Sequence, residues 1–162
     1  MLDKRVLVTD PLAEEGLAYL RQHVMVDVHL GLSPPELAAA IGGYEGLIVR
    51  SGTQVTARVI QAAERLAVIG RAGTGVDNID LEAATLRGIV VVNVPNSNAV
   101  SVAEHTIALL LALARHLPQA DASLRARRWS RQGLRGIEVR GKKLGIIGLG
   151  RIGSAVARRA QG

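Results

Sequence analysis

The sequence predicts an α/β fold: a mostly parallel sheet covered by helices, followed by the opening of a second domain. Three observations carry that expectation. Short apolar runs alternate with amphipathic stretches through the first 95 residues, with turn residues at each joint. After Pro95 the style changes, and one long apolar helix replaces the alternation. Finally, an apolar run over residues 144–147 leads into Gly148-x-Gly150-x-x-Gly153 with an amphipathic stretch behind it.

Each element follows from local chemistry. "RVLVTD" reads as the first strand. Asp10-Pro11, a capping residue followed by proline, predicts a helix over residues 14–22. "VMVDVH" alternates as the second strand. "SPPELAAAI" places Ser33 as N-cap with Glu36 three residues on, the spacing of a capping box, and Gly42-Gly43 stops that helix. "GLIVR" is the third strand and "TARVIQAAERL" the next helix. "LAVIG" is the fourth strand, and "DLEAATLRG" is a helix capped by Asp80 and closed by Gly88. "IVVVN" is the fifth strand, cut off by Pro95. "SVAEHTIALLLALARHL" then reads as a single helix, apolar over most of its circumference and suited to burial between domains or subunits.

Composition narrows the function classes. At 162 residues, 48% of them apolar, the chain buries a real core. It has no cysteine, which excludes a disulfide framework and a thiolate metal site. The amino terminus lacks the apolar core of a signal peptide. The longest apolar run, residues 107–114, is far below the roughly 20 residues that span a bilayer. These features predict a cytoplasmic protein with no membrane partner. Charge is uneven: residues 1–120 hold nine Lys/Arg against twelve Asp/Glu, whereas 121–162 hold eleven against two. A phosphate-binding face and a solvated arginine-rich surface both accommodate that tail. One Trp and no Phe make a poor stacking platform, so no nucleic-acid partner is expected.

In a parallel sheet, ligands bind at the carboxyl ends of the strands, so the loops "VRSGTQ", "GRAGTGVDN" and "NVPNSNAVS" hold the candidates. Arg50 beside Ser51 can grip a carboxylate or phosphate, although a solvent-facing strand-end arginine would look the same. Arg71 and "AGTG" form a possible anion nest or a plain turn. In the terminal motif, Gly148 permits a tight turn, Gly150 lets backbone approach a pyrophosphate and Gly153 allows close helix packing; Arg151 adds charge there. His105 beside Glu104 reads as a helix-interface histidine. Asp77, Asn78 and Asp80 suit turn and cap roles as well as metal ligation, and no metal is expected.

Taken in order, "VRSGTQVTARVI", "GRAGTGVDNIDLEAATLRGIVVVN" and "GKKLGIIGLGRIG" resemble the D-2-hydroxyacid dehydrogenases over essentially the whole chain, most specifically in residues 70–93. The resemblance implies a flavodoxin-like parallel-sheet substrate domain, residues 1–95. The start of a Rossmann NAD-binding domain follows, residues 96–162, with a long interface helix, a first strand and the glycine turn. It implies NAD as cofactor and a small-molecule substrate in the crevice between the domains. A homodimer or homotetramer is implied too, its two-fold interface formed by the long helix and anchored by Trp129. The branch resembled most oxidises 3-phosphoglycerate to 3-phosphohydroxypyruvate, opening serine biosynthesis. Acids of the glyoxylate, hydroxypyruvate or lactate type are the alternative substrates, and a non-catalytic NAD-sensing scaffold is the alternative role.

Carried over by position, Arg50 and Ser51 would contact the phosphate or carboxylate end of the substrate, with Arg71 nearby. Gly73, Thr74 and Gly75 would line the cleft where substrate and nicotinamide meet, Thr74 on the cofactor side. Asn98 falls in the interdomain hinge. Gly148, Gly150 and Gly153 would frame the pyrophosphate, with backbone contacts from Arg151 and Ile152. The family's catalytic arginine, glutamate and histidine are expected beyond residue 162, as is the acidic residue that selects NAD, about 20 residues past the turn. The 162-residue chain is therefore expected to be inactive by itself.

Overall fold

The computed structural model describes residues 3–95, 97–129 and 131–161. It divides into two compact units, Met1–Ser97 and Asn98–Gly162. In the first, five strands pair in parallel: β1 Arg5–Val8, β2 Met25–Val28, β3 Gly46–Val49, β4 Val68–Arg71 and β5 Val90–Asn93. Their order is β2-β1-β3-β4-β5, the doubly wound arrangement whose switch point lies between β1 and β3. Val8 pairs with Ile48, Val49 with Arg71, and Arg71 with Asn93. The loops after β3, β4 and β5 therefore leave the sheet side by side.

The helices of this unit are α1 Glu14–Arg21, α2 Pro34–Ala40, α3 Ala57–Ala62 and α4 Leu81–Leu86. Leu37 of α2 and Ile60 of α3 join Leu7, Leu47 and Ile69 of the sheet in one core, each completely buried. β3 lies inside the sheet and is apolar throughout, because both its faces are covered. The capping signals on α2 and α4 are realised. The Glu36 carboxylate accepts the Ser33 N–H at 2.9 Å, and Asp80 accepts the Ala83 N–H at 2.9 Å. Gly88 closes α4 at φ 67°, a conformation that favours glycine.

One capping expectation is corrected. α1 starts from Ala13, and Asp10 takes no part in it. Its carboxylate accepts backbone N–H groups after β3 instead, a pairing across 40 residues that local spacing does not reveal.

The second unit contains α5 Ala99–Ala114, α6 Leu117–Arg125 and α7 Arg151–Ala160. The long helix expected over residues 101–117 is realised as α5 but ends three residues early, and a 68° bend separates it from α6. Pro118 is the cause. Its ring would collide with the carbonyl four residues back, that of Ala114, and it has no N–H to offer it. The chain turns through His116 at φ 52°, and the Ala114 carbonyl accepts the Ile137 N–H at 2.9 Å. The strand expected over residues 144–147 is also corrected, since no ladder forms there. A strand exists only by pairing, and none of the described residues of this unit offers it a partner. α5 packs on α7 through Ala103, Ala155 and Val156, flanked by Ile107, Ile146 and Ile152. Among the described residues, no single helix is long and apolar enough to cross a membrane.

Candidate functional site

At the switch point of the first unit, the loop after β3 is held by side chains and, at its far end, by a single backbone bridge between Val55 and Ile79. Asp10, at the end of β1, accepts the Arg50 N–H at 2.6 Å and the Thr53 N–H at 3.2 Å. Beneath it, the buried hydroxyls of Thr9 and Thr53 meet at 2.9 Å. Asn78 donates to the carbonyls of Arg50 and Thr53 at 2.7 and 2.6 Å, and its oxygen accepts Arg71 Nε at 2.9 Å. Arg50 and Ser51 are exposed at the tip; among the described residues, the Arg50 guanidinium donates to the Pro11 carbonyl at 3.3 Å. The backbone is fixed while the cationic fork is left open to a ligand, an arrangement suited to bidentate capture of a carboxylate or phosphate.

Arg71 is placed differently. Its side chain is 10% exposed and lies within its own loop, with Nη2 3.7 Å from Asp77. Gly73 and Gly75 lie close beside it: a Cβ at Gly73 would stand 3.1 Å from Arg71 Nη1, and one at Gly75 would stand 2.8 Å from Asp77 Oδ1 and 3.3 Å from Arg71 Nη1. Arg71 thus organises the "AGTG" loop and supplies positive charge under it. Thr74 is tied to the strand end, its carbonyl accepting Asn93 Nδ2 at 2.6 Å and its hydroxyl reaching the Val94 carbonyl at 3.4 Å. Asp77, Asn78 and Asp80 are occupied as ion pair, loop brace and helix cap. No cluster able to hold a metal ion occurs among the described residues.

In the second unit, Asn98 precedes α5, and its carbonyl accepts the Val102 N–H at 2.9 Å. The glycine turn has the conformation its sequence requires. Gly148 sits at φ 89°, and a Cβ on Gly153 would run into the Gly148 carbonyl oxygen. Nothing lies within 4 Å of a Cβ position on Gly150, so a ligand can approach the backbone there. α7 begins directly after it, and the N–H groups of its first turn, including those of Arg151 and Ile152, have no intrahelical acceptor. Space, exposed amides and the helix dipole together fit a pyrophosphate.

No histidine among the described residues shares a hydrogen bond or ion pair with a carboxylate, so no acid–base pair is assembled there. The groups with displaced titration lie away from these loops. A hydrogen bond from Arg5 holds the Asp27 carboxyl below its ordinary value, and the Arg5 N–H does the same for Glu45. Burial, then the hydrogen bond to Asp27, raises the Tyr44 phenol. Sequence reasoning missed Asp10 and the bracing role of Asn78. The available signal was a carboxylate closing the first strand at the switch point of the sheet.

The family model for D-isomer specific 2-hydroxyacid dehydrogenase, catalytic domain, matches residues 6–161. The chain belongs to this family. D-3-phosphoglycerate dehydrogenase of Archaeoglobus fulgidus is 54% identical over 158 residues, which is 97% of this chain and 30% of that protein. The Homo sapiens enzyme of the same name is 58% identical over 130 residues, 80% of this chain and 24% of that protein. The chain thus spans under a third of the length of these curated relatives. Among solved structures, the TT0316 protein of Thermus thermophilus superposes with a TM-score of 0.87 at 41% identity, covering 97% of this chain and 52% of that one. An NADPH-dependent glyoxylate/hydroxypyruvate reductase of Sinorhizobium meliloti, in complex with NADP and malonate, gives 0.85 at 33%, covering 98% and 50%. The family uses NAD(P), and its parallel α/β fold is the one described above.

Proposed function

We propose that the protein containing this chain oxidises 3-phosphoglycerate to 3-phosphohydroxypyruvate with NAD. The observation that carries this reading is the exposed Arg50–Ser51 tip on a rigidly braced loop, in a chain whose curated relatives of that name reach 48–58% identity. A substrate carrying both carboxylate and phosphate presents two anionic ends, and a cationic fork with a hydroxyl beside it suits one of them. When bound, NAD accepts the hydride from the substrate carbon.

The chain's own residues supply binding and orientation. Arg50 and Ser51 grip an anionic end of the substrate. Arg71 with Gly73 and Gly75 forms the positive floor of the neighbouring loop, and Thr74 lies toward the cofactor. Asn98 serves the hinge between a substrate domain, residues 1–95, and a dinucleotide domain from residue 96. Gly148, Gly150 and Gly153 shape the pyrophosphate cradle, and the amides of Arg151 and Ile152 line it. The acid–base residues belong to parts of the protein outside these 162 residues, and the working form is a homodimer or homotetramer.

The test is a substrate panel on the longer protein. NADH formation from 3-phosphoglycerate should exceed that from lactate or glycolate by at least a hundred-fold in kcat/KM. Comparable values, or a preference for NADP, would replace this reading with that of a reductase for unphosphorylated acids.

A further inference from the structure

We infer that Asp10 and Asn78 are positioning residues for the anion loop, setting where Arg50 presents its guanidinium. The inference rests on the reading of Arg50 and Ser51 as anion-binding residues. Both backbone N–H groups that bound the loop, those of Arg50 and Thr53, donate to the one Asp10 carboxylate oxygen. Both carbonyls of the same two residues accept from the one Asn78 amide nitrogen. Two side chains, 8% and 5% exposed, thereby satisfy four backbone groups. Gly52 completes the fit, because a Cβ there would stand 2.5 Å from Asp10 Oδ1. Through its remaining oxygen Asn78 also holds Arg71 Nε, so one side chain registers the two arginines to each other.

The charge on Asp10 makes this assignment decisive. A buried carboxylate beneath an anion loop opposes an incoming phosphate by simple electrostatics. If charge were its whole influence, Asp10→Asn would strengthen substrate binding. If it positions the loop, the same substitution removes a charge-assisted acceptor shared by two N–H groups and binding weakens. The two accounts differ in sign.

The experiment uses the longer protein and steady-state kinetics with 3-phosphoglycerate and NAD. Asp10→Asn and Asn78→Ala, neither of which adds negative charge, should each raise KM for 3-phosphoglycerate about ten-fold or more, with KM for NAD within two-fold of wild type. Gly52→Ala, which displaces the Asp10 carboxylate without removing its charge, should give the same split and covers the case in which one of the others fails to fold. In an Arg50→Ala background, Asp10→Asn should add less than two-fold, because it acts through Arg50. An unchanged or lowered KM in all the folded variants, while Arg50→Ala itself raises KM, overturns the positioning role and leaves the functional reading standing. If Arg50→Ala has no effect, the reading of the anion loop fails and this inference falls with it.

Discussion

In the sheet unit Leu7, Leu37, Ile41, Leu47, Ile60 and Ile69 are fully buried, whereas the core of the second unit, among the described residues, is Ala103, Ala155 and Val156. Leu113, Ile147 and Leu149 of that unit are exposed. Yet each unit forms a well-defined loop at which a ligand site is proposed. The anion loop is held by long-range polar pairings that exist only because the sheet brings β1, β3 and β4 together. The glycine turn is held by its own backbone, with Gly148 in the left-handed region and Gly153 pressed against the Gly148 carbonyl. A site can therefore be built by tertiary bracing or by local conformation, and the two kinds should fail differently when disturbed.

The largest expected effect tests that contrast through the core. Leu47→Ala should destabilise the sheet unit by about 2–5 kcal/mol. Leu113→Ala, at an exposed position, should stay within about 0.5 kcal/mol of wild type. Urea titration followed by circular dichroism measures both, and equal losses would mean that burial does not set what these two leucines contribute. Next comes Gly153→Ala, whose methyl group has to displace the Gly148 carbonyl at a cost of about 1–3 kcal/mol. NADH fluorescence titration of the longer protein should show binding weakened roughly ten-fold or more, with KM for 3-phosphoglycerate changed far less. A smaller loss, about 1 kcal/mol, is expected for Asp80→Ala, which removes the cap of α4; thermal melting reads it.

The smallest effect is the pH dependence of stability. Asp27, Glu36 and Glu45 titrate below their ordinary values in the folded chain, chiefly through hydrogen bonds from Arg5, Ser33 and the Arg5 N–H. Their contribution is therefore present above the unfolded carboxylate range and is lost as pH falls through the lowered folded values. Melting temperature should fall on acidification below that range, and Asp27→Asn should flatten the slope. A slope unaltered by Asp27→Asn would show that this pair contributes nothing measurable.

The legible and illegible parts of the chain divide along the same line. The five strands, the capping box at Ser33 and Glu36 and the stop at Gly88 depend on nearby residues, so periodicity and turn chemistry reveal them. Asp10 looks like a helix cap because Pro11 follows it, while its actual partners lie 40 and 43 residues away. Only the completed strand order shows that β1 and β3 are neighbours. The break after Ala114 was legible in principle from Pro118, but the uninterrupted apolar run of α5 masked it. The apolar run at 144–147 carries the composition of a strand, and composition alone cannot provide a pairing partner. In the site, Arg50 and Arg71 look alike in sequence, each closing a strand. Burial separates them, leaving one open to a ligand and the other locked beneath its own loop.

Arg50, on the braced loop after β3, is proposed to hold an anionic end of the substrate. Arg50→Ala in the longer protein tests it directly by steady-state kinetics with 3-phosphoglycerate and NAD as separate variables. Loss of charge-assisted hydrogen bonds worth about 1.5–3 kcal/mol should raise KM for 3-phosphoglycerate roughly ten- to hundred-fold, while KM for NAD stays within two-fold. An unaltered KM for 3-phosphoglycerate, or an equal rise in both constants, would contradict the claim and remove Arg50 from the site.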